Sequence, residues 1–359
     1  MIPVSRPLIT RDDINFVKEE ALKKGYVAQS HLVKDFENII KKYLNCKYAV
    51  STNNGSSALI AAIAALELKK NSTILVPNCT IISVLNAVIV NGHKPVFIDV
   101  DEKNWNISFE LVKKKVKEKK IDAAIIVENY NSSPHMNLVC KYLKNKKIKI
   151  IEDASESLGG SYQNKKFGSF GDIVTLSFFA NKIITTGEGG MVLSNNKKYS
   201  NFFEKYINLF FSKNRDFKHQ EIGYNFRMNS MSAALGITQF NKIEYFLNIR
   251  KKIYERYMNG LNWGKFTTQE ILEQMKSSYW VFPILNKNLS SKKMINILKQ
   301  KKIQSRHIFF PLSEQTFIKK KEKLNVSRFL FDHGIYLPMG NGLKMNEIDY
   351  TIKVINSNL

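Results

Sequence analysis

Leu176–Val192 reads LSFFANKIITTGEGGMV, and the fold turns on this stretch. It begins inside an apolar, strand-like run, Ile173 to Phe179. Lys182 comes next, then two threonines and a Gly187-Glu188-Gly189-Gly190 turn, where dense glycine permits positive φ and close backbone approach. The pattern predicts a strand, a tight loop holding the lysine, and a hairpin-like return into Met191–Ser194. A lysine held in such a loop can be desolvated, which lowers its pKa and makes it a nucleophile toward aldehydes and ketones. The competing expectation is a solvated surface charge, because 47 of the chain's 55 basic Lys and Arg residues are lysines.

A second element sets Lys182 apart. Lys149–Asp153 (KIIED) is an apolar strand ending in acids, followed by Ala-Ser-Glu-Ser-Leu-Gly-Gly. An aspartate at the carboxyl end of a buried strand stands where α/β folds place ligand contacts. Pyridoxal phosphate (PLP) needs both partners, a lysine for its aldehyde and an acid for its ring nitrogen.

The whole segment Ile151–Val192, IEDASESLGGSYQNKKFGSFGDIVTLSFFANKIITTGEGGMV, resembles the core of the DegT/DnrJ/StrS sugar aminotransferases. The wording SFF-x-NK-x-ITTGEGG is most similar to that of the perosamine and viosamine synthases, which aminate C4 of nucleotide-linked 4-keto-6-deoxyhexoses. Similar wording recurs from Pro3 to about Pro338. A second motif, Phe217–Ala234 (FKHQEIGYNFRMNSMSAA), resembles the family's WH-x-x-x-GYNYRM segment, with Lys218 in place of Trp and Phe226 in place of the second Tyr.

The resemblance implies an α/β chain of the aspartate aminotransferase-like fold (PLP fold type I). A large PLP-binding domain with a mostly parallel sheet would cover 1–245, and a smaller C-terminal α+β domain 246–359. Lys182 would be the catalytic residue that bonds to the cofactor's aldehyde and then moves a proton. Asp153 would hold the pyridinium nitrogen, Glu156 the ring hydroxyl, and Ser56, Ser57 and Ser177 the phosphate. Asn225 would reach the phosphate of a second subunit, giving a homodimer with active sites at the interface. Tyr26, His219, Arg306 and His307 would line the substrate region. L-glutamate would donate the amine, pyridoxamine phosphate would carry it, and a nucleotide-diphospho-sugar for surface-glycan biosynthesis would accept it. Ile81 departs from the family's ring-stacking aromatic, and Ser30 from the final glycine of its LAQG loop. Glu128 and Asn131 stand where relatives mostly carry His and Gly. Drift in a loop is the expectation for both, with an altered substrate or subunit contact as the other reading.

Three alternatives are open. One relative class carries His at the lysine position and performs C3 dehydration, against which Lys182 argues directly. A second aminates C3. A third is a non-catalytic regulator with a basic nucleic-acid-binding surface. The formal net charge of +24 suggests acidic partners. Yet the lysines fall in scattered runs such as Lys113–Lys120 and Lys319–Lys323, without interleaved aromatics or a winged appendage, so nucleic acid is not the expected partner. A diphosphate-linked sugar is acidic too.

Cys46, Cys79 and Cys140 lack a CxxC spacing and fit free thiols in a reducing, cytoplasmic setting. The six histidines are scattered, so no metal site is expected. No apolar run is long enough to span a membrane, and the N-terminus lacks a signal-like apolar core.

Overall fold

The computed structural model describes residues 1–130, 132–133, 135–212, 217–219 and 221–359. Strands and helices alternate through its first half. The strands are β1 (Tyr48–Thr52), β2 (Thr73–Pro77), β3 (Lys94–Ile98), β4 (Ala123–Val127) and β5 (Lys149–Asp153), then a ribbon of β6 (Ser161–Tyr162) and β7 (Lys165–Lys166), then β8 (Ile173–Ser177) and β9 (Gly190–Ser194). The helices over the same span are α1 (Arg11–Phe16), α2 (His31–Tyr43), α3 (Gly55–Ala64), α4 (Ile82–Val90), α5 (Phe109–Glu118) and α6 (Met136–Asn145).

Seven strands form one sheet in the order β1-β9-β8-β5-β4-β2-β3. β3, β2, β4, β5 and β8 run parallel, and β9 alone is antiparallel to both its neighbours. Strand β4 (AAIIV) is buried at every position, as expected of a sheet covered on both faces. Its side chains alternate between faces with the strand period of two. Ile125, with Ile74, Ile151 and Val192, packs against α3 and α4. Ile126, with Leu75 and Ile150, packs against the α5 and α6 side through Val112, Val139 and Leu143. The α3 sequence GSSALIAAIA is apolar nearly all round, which suits a helix buried between sheet and neighbours.

The predicted hairpin around Lys182 forms as β8 and β9, with Ser177 opposite Gly190 and Ile173 opposite Ser194. β9 is central, flanked on its other edge by β1, where Thr52 faces Gly190. A Cβ at Gly190 would lie 2.3 Å from the Asn54 carbonyl oxygen and 2.6 Å from Thr52 Oγ1. Glycine at 190 is thus what lets the start of α3 sit against the end of the hairpin.

Beyond the sheet, α7 (Lys197–Tyr206), α8 (Ser230–Phe240) and α9 (Ile243–Gly260) lead to β10 (Met275–Lys276) and a second sheet. That sheet is antiparallel, in the order β11 (Phe282–Leu285), β13 (Gly334–Leu337), β12 (Arg306–His307). It has its own apolar cluster with α9, α10 (Ser291–Gln300) and α12 (Met345–Asn358), built on Tyr257, Phe282, Leu298, Ile335 and Ile352.

The sequence over Met231–Arg256 predicts one long helix, but the structure has α8 and α9, broken where Lys242 leaves helical geometry at φ −106°, ψ 11°. There the Lys242 ammonium meets the fully buried Asp13 carboxylate at 2.9 Å, and Thr238 and Gln239 of α8 donate to the same group. Anchoring the N-terminal helix overrides helical propensity at that point. The sequence around Ile303–Phe310 reads as one strand; it pairs with β13 at Arg306–His307, and Ile303 forms an isolated parallel bridge to Ile2. The sequence also predicts a helix over Asp12–Lys24; it is α-helical only to Phe16 and continues as a π-helical turn, Val17–Leu22.

Replacing Gly190→Ala should cost about 1–3 kcal/mol by overpacking. Urea unfolding should show a lower midpoint with an unchanged slope.

Candidate functional site

The carboxyl ends of β5 and β8 lie side by side, Asp153 opposite Thr175, and the loops leaving them enclose a cavity of about 270 Å³. Its lining includes Asp153, Glu156, Ser177, Lys182, Ile81 and Trp280.

Lys182 enters from the loop between β8 and β9, its amide donating to Phe179 O at 2.9 Å. Its Nζ lies 3.8 Å from Glu156 Oε1 and 3.9 Å from the centre of the Trp280 ring. The side chain is only 13% exposed. Burial holds the amine below its ordinary pKa, opposed by the nearby Glu156 and Asp153 carboxyls. Among the described residues it is the only lysine lining the cavity.

Asp153 ends β5 and is buried. Its Oδ1 accepts from Ser155 Oγ, from the Ser155 amide at 3.2 Å and from Thr175 Oγ1 at 3.1 Å. Burial raises its pKa against those bonds and the Lys182 charge. Glu156 Oε2 accepts the Tyr130 amide at 3.0 Å. Burial pushes the Glu156 carboxyl up to about 7, and the Lys182 charge and that amide pull it back.

The third wall is the N-terminus of α3. Asn54 caps it, its Oδ1 accepting from the Ser57 amide at 2.8 Å. The Gly55 and Ser56 amides have no acceptor within the helix. A Cβ at Gly55 would come within 2.9 Å of Ser177 Cβ, so glycine lets the helix end close on the hairpin. Ser56 and Ser83 hydroxyls share a 2.7 Å hydrogen bond at this rim. Free amides, hydroxyls and a positive dipole end make a place for an anion.

The structure therefore brings together Lys182, Asp153, Glu156, Ser56 and Ser177. Ser57 lies just behind them, buried, with its amide taken by Asn54. Tyr26, His219, Asn225, Arg306 and His307 do not line this cavity. Tyr26 stacks edge-on against His31. His219 Nδ1 contacts Leu209 O at 2.6 Å, and His307 Nδ1 contacts Ser291 Oγ at 2.9 Å. Asn225 and Arg306 are exposed. Ile81 does line the cavity, at the N-cap of α4.

Trp280, Phe309 and Tyr336 were not anticipated. They come from the second half of the chain, and Tyr130 stacks between Trp280 and Phe309 with interplanar angles of 13° and 17°. Only folding brings these rings to Lys182, and no local pattern marks them. Glu128, just past β4, is a buried carboxyl, accepting from Ser157 Oγ at 3.0 Å. Burial, then the neighbouring Glu152, holds its pKa well above the ordinary range. Asn131 lies outside the described residues. Among the described residues no cluster of His, Cys, Asp and Glu has the makings of a metal site, and no helix is long and apolar enough to cross a membrane.

A buried amine with a lowered pKa, a buried acid at a strand end and an anion site at a helix N-terminus suit a phosphorylated aldehyde with a ring nitrogen. Comparison with known proteins agrees. The sequence profile of the DegT/DnrJ/EryC1/StrS aminotransferase family matches residues 8–356. The chain is 30% identical over 357 residues to a GDP-perosamine synthase of Escherichia coli O157:H7, covering 99% of this chain and 98% of that one. It is 32% identical over 290 residues to a UDP-4-amino-4,6-dideoxy-N-acetyl-beta-L-altrosamine transaminase of Campylobacter jejuni, covering 79% and 76%. Among solved structures, Helicobacter pylori PseC, an aminotransferase involved in the biosynthesis of pseudoaminic acid, superposes with a TM-score of 0.92 at 25% identity, covering 99% of both chains.

The Glu156 environment has a measurable consequence. With its pKa raised from 4.5 to about 7, the folded state holds more protons than the unfolded state between those values. Its stability contribution is therefore present below pH 4.5 and lost as pH rises through about 7. Urea unfolding of the ligand-free protein and of Glu156→Gln should show the wild type losing roughly 3 kcal/mol more than the variant across that window. Equal losses in both proteins would refute the assignment.

Proposed function

Because the chain belongs to the DegT/DnrJ/EryC1/StrS aminotransferase family, and is a PLP-dependent sugar aminotransferase of the aspartate aminotransferase fold, we propose that it transfers an amino group from L-glutamate to C4 of a nucleotide-linked 4-keto-6-deoxyhexose. The product is of the GDP-perosamine or UDP- or dTDP-viosamine type. The observation that carries this is the Lys182 amine, buried between Glu156 and the Trp280 ring at the end of the Asp153 strand.

When bound, PLP supplies the aldehyde that takes up the amino group and a ring that withdraws electrons from the reacting carbon. The cavity's residues fit it. Asp153, buried and held in place by Thr175 and Ser155, is placed to accept from a protonated ring nitrogen. Ser56, Ser177 and the start of α3, with Ser57 behind, suit its phosphate. Glu156 suits its ring hydroxyl. Lys182 Nζ, with its pKa lowered by burial, carries a neutral amine in a larger fraction of molecules than a surface lysine does. That amine is the group that would hold the cofactor's aldehyde, and as a neutral base it would be placed to take up and return a proton at Nζ. The rings of Trp280, Phe309 and Tyr336 exclude water from the amine.

C4 rather than C3 is supported by the SFFANK wording and by the name of the E. coli relative. Asn225 fits a homodimeric arrangement. It is exposed in the single chain, in a segment that also exposes Phe217 at 79% and Ile222 at 82%. A second copy covering this segment would bury that apolar surface and bring Asn225 to the neighbouring cavity. Tyr26, His219, Arg306 and His307 fit the sugar and nucleotide side of the same interface.

With added PLP, the wild type should show a visible absorbance band that L-glutamate bleaches. Lys182→Ala should lack the band and aminate a GDP-, UDP- or dTDP-linked 4-keto sugar at least about 100-fold more slowly. NMR of the product reads the position of the new C–N bond. Absence of any Lys182-dependent band would sink the proposal.

A further inference from the structure

Arg250, on α9, is 1% exposed. A buried guanidinium is expensive unless its donors are met. Its Nε donates to Asn341 Oδ1 at 2.8 Å and its Nη1 to Trp280 O at 2.7 Å, while Nη2 donates to Lys182 O at 2.9 Å and Asn181 O at 3.4 Å. Every one of these acceptors is a neutral oxygen. Among the described residues no carboxylate lies within ion-pair distance of it. Asn341 completes the clamp by donating to Ile183 O at 2.9 Å. The carbonyls of three consecutive residues, 181 to 183, are thus held by one guanidinium and one amide.

A structural tie alone does not need this chemistry. A neutral side chain or water can satisfy backbone carbonyls without burying a charge. Arginine offers a rigid planar fork and a charge that does not leave. From this geometry we propose that Arg250 is a positioning residue for Lys182, fixing the backbone of the lysine loop together with Asn341 and placing a buried positive charge behind that loop. This rests on Lys182 being the reactive amine.

The groups facing Lys182 are Glu156 and Asp153 from β5 and its following turn, Arg250 from α9, the Trp280 ring, Tyr336 from β13, and Glu188 at the cavity rim. The two buried carboxyls favour the ammonium, and Arg250 opposes them. Without Arg250 the Glu156–Asp153 pair would hold the proton on Lys182 more tightly.

The test uses the full chain without PLP and titrates Lys182 directly. Trinitrobenzenesulfonate labelling of the Lys182 peptide is followed by mass spectrometry against pH. Arg250→Met should raise the labelling midpoint by about one pH unit, a roughly tenfold smaller neutral fraction at fixed pH. Arg250→Lys, which restores the charge, should return it most of the way. If Arg250→Met does not fold, Asn341→Asp reads the same effect. It keeps an acceptor for Nε while adding a negative charge beside the guanidinium, and it too should raise the midpoint. Midpoints unmoved in every folded variant would overturn the proposal. The Lys182-dependent absorbance band is scored separately in the wild type. Loss of that band removes the aminotransferase reading, whereas its persistence with unmoved midpoints removes only the role of Arg250.

Discussion

A lysine amine taken out of water must either lose its proton or find a counter-charge, and the structure around Lys182 is arranged between those two outcomes. Burial pushes the amine toward neutrality, while Glu156 at 3.8 Å and Asp153 pull the other way. Neither acid is free to swing. Asp153 is pinned by Thr175 and Ser155, and Glu156 by the Tyr130 amide. The Trp280 ring face closes the remaining side and interacts favourably with the ammonium when the proton is present. The balance depends on distances of a few ångströms, so the fold must hold several separate segments rigidly around one loop.

That rigidity has identifiable sources. Parallel strands put the ends of β4, β5 and β8 on one edge of the sheet, so their trailing loops converge. β9, inserted between β8 and β1, makes the lysine loop a hairpin loop anchored on both legs. Gly55 and Gly190 stand where any side chain would force α3 away from the hairpin. From the far side, Arg250 and Asn341 grip the carbonyls of residues 181–183.

The large positive charge plays a smaller part in this architecture than its size suggests. Most ion pairs, such as Lys23–Glu19 and Lys251–Glu255, join exposed side chains on helix surfaces, where each contributes little. Two pairs reach into the interior. Lys242–Asp13 ties the N-terminal helix to the α8–α9 junction, and Lys182–Glu156 lies in the cavity. Basic surface is compatible with an acidic nucleotide sugar, but the cavity chemistry rests on one lysine.

Local chemistry determined most of the fold and the nucleus of the site. Continuous apolar runs marked β5 at Lys149–Asp153 and β8 from Ile173, and the Gly-Glu-Gly-Gly turn marked the β8–β9 hairpin. Lys182, Asp153, Glu156, Ser56 and Ser177 were legible because each sits at a strand end, in the turn or loop that follows one, or at a helix start, positions that short motifs encode. Trp280, Phe309, Tyr336 and Arg250 were not legible, because a ring in a strand-like run or an arginine in a helix has no local signature of where it will be buried. The break between α8 and α9 was hidden for the same reason, since its cause is Asp13, far away in the chain. Sequence by itself thus determined which groups meet in the cavity. Only tertiary structure decided how far each is desolvated and which distant side chains hold it, because desolvation depends on every segment that packs around a site.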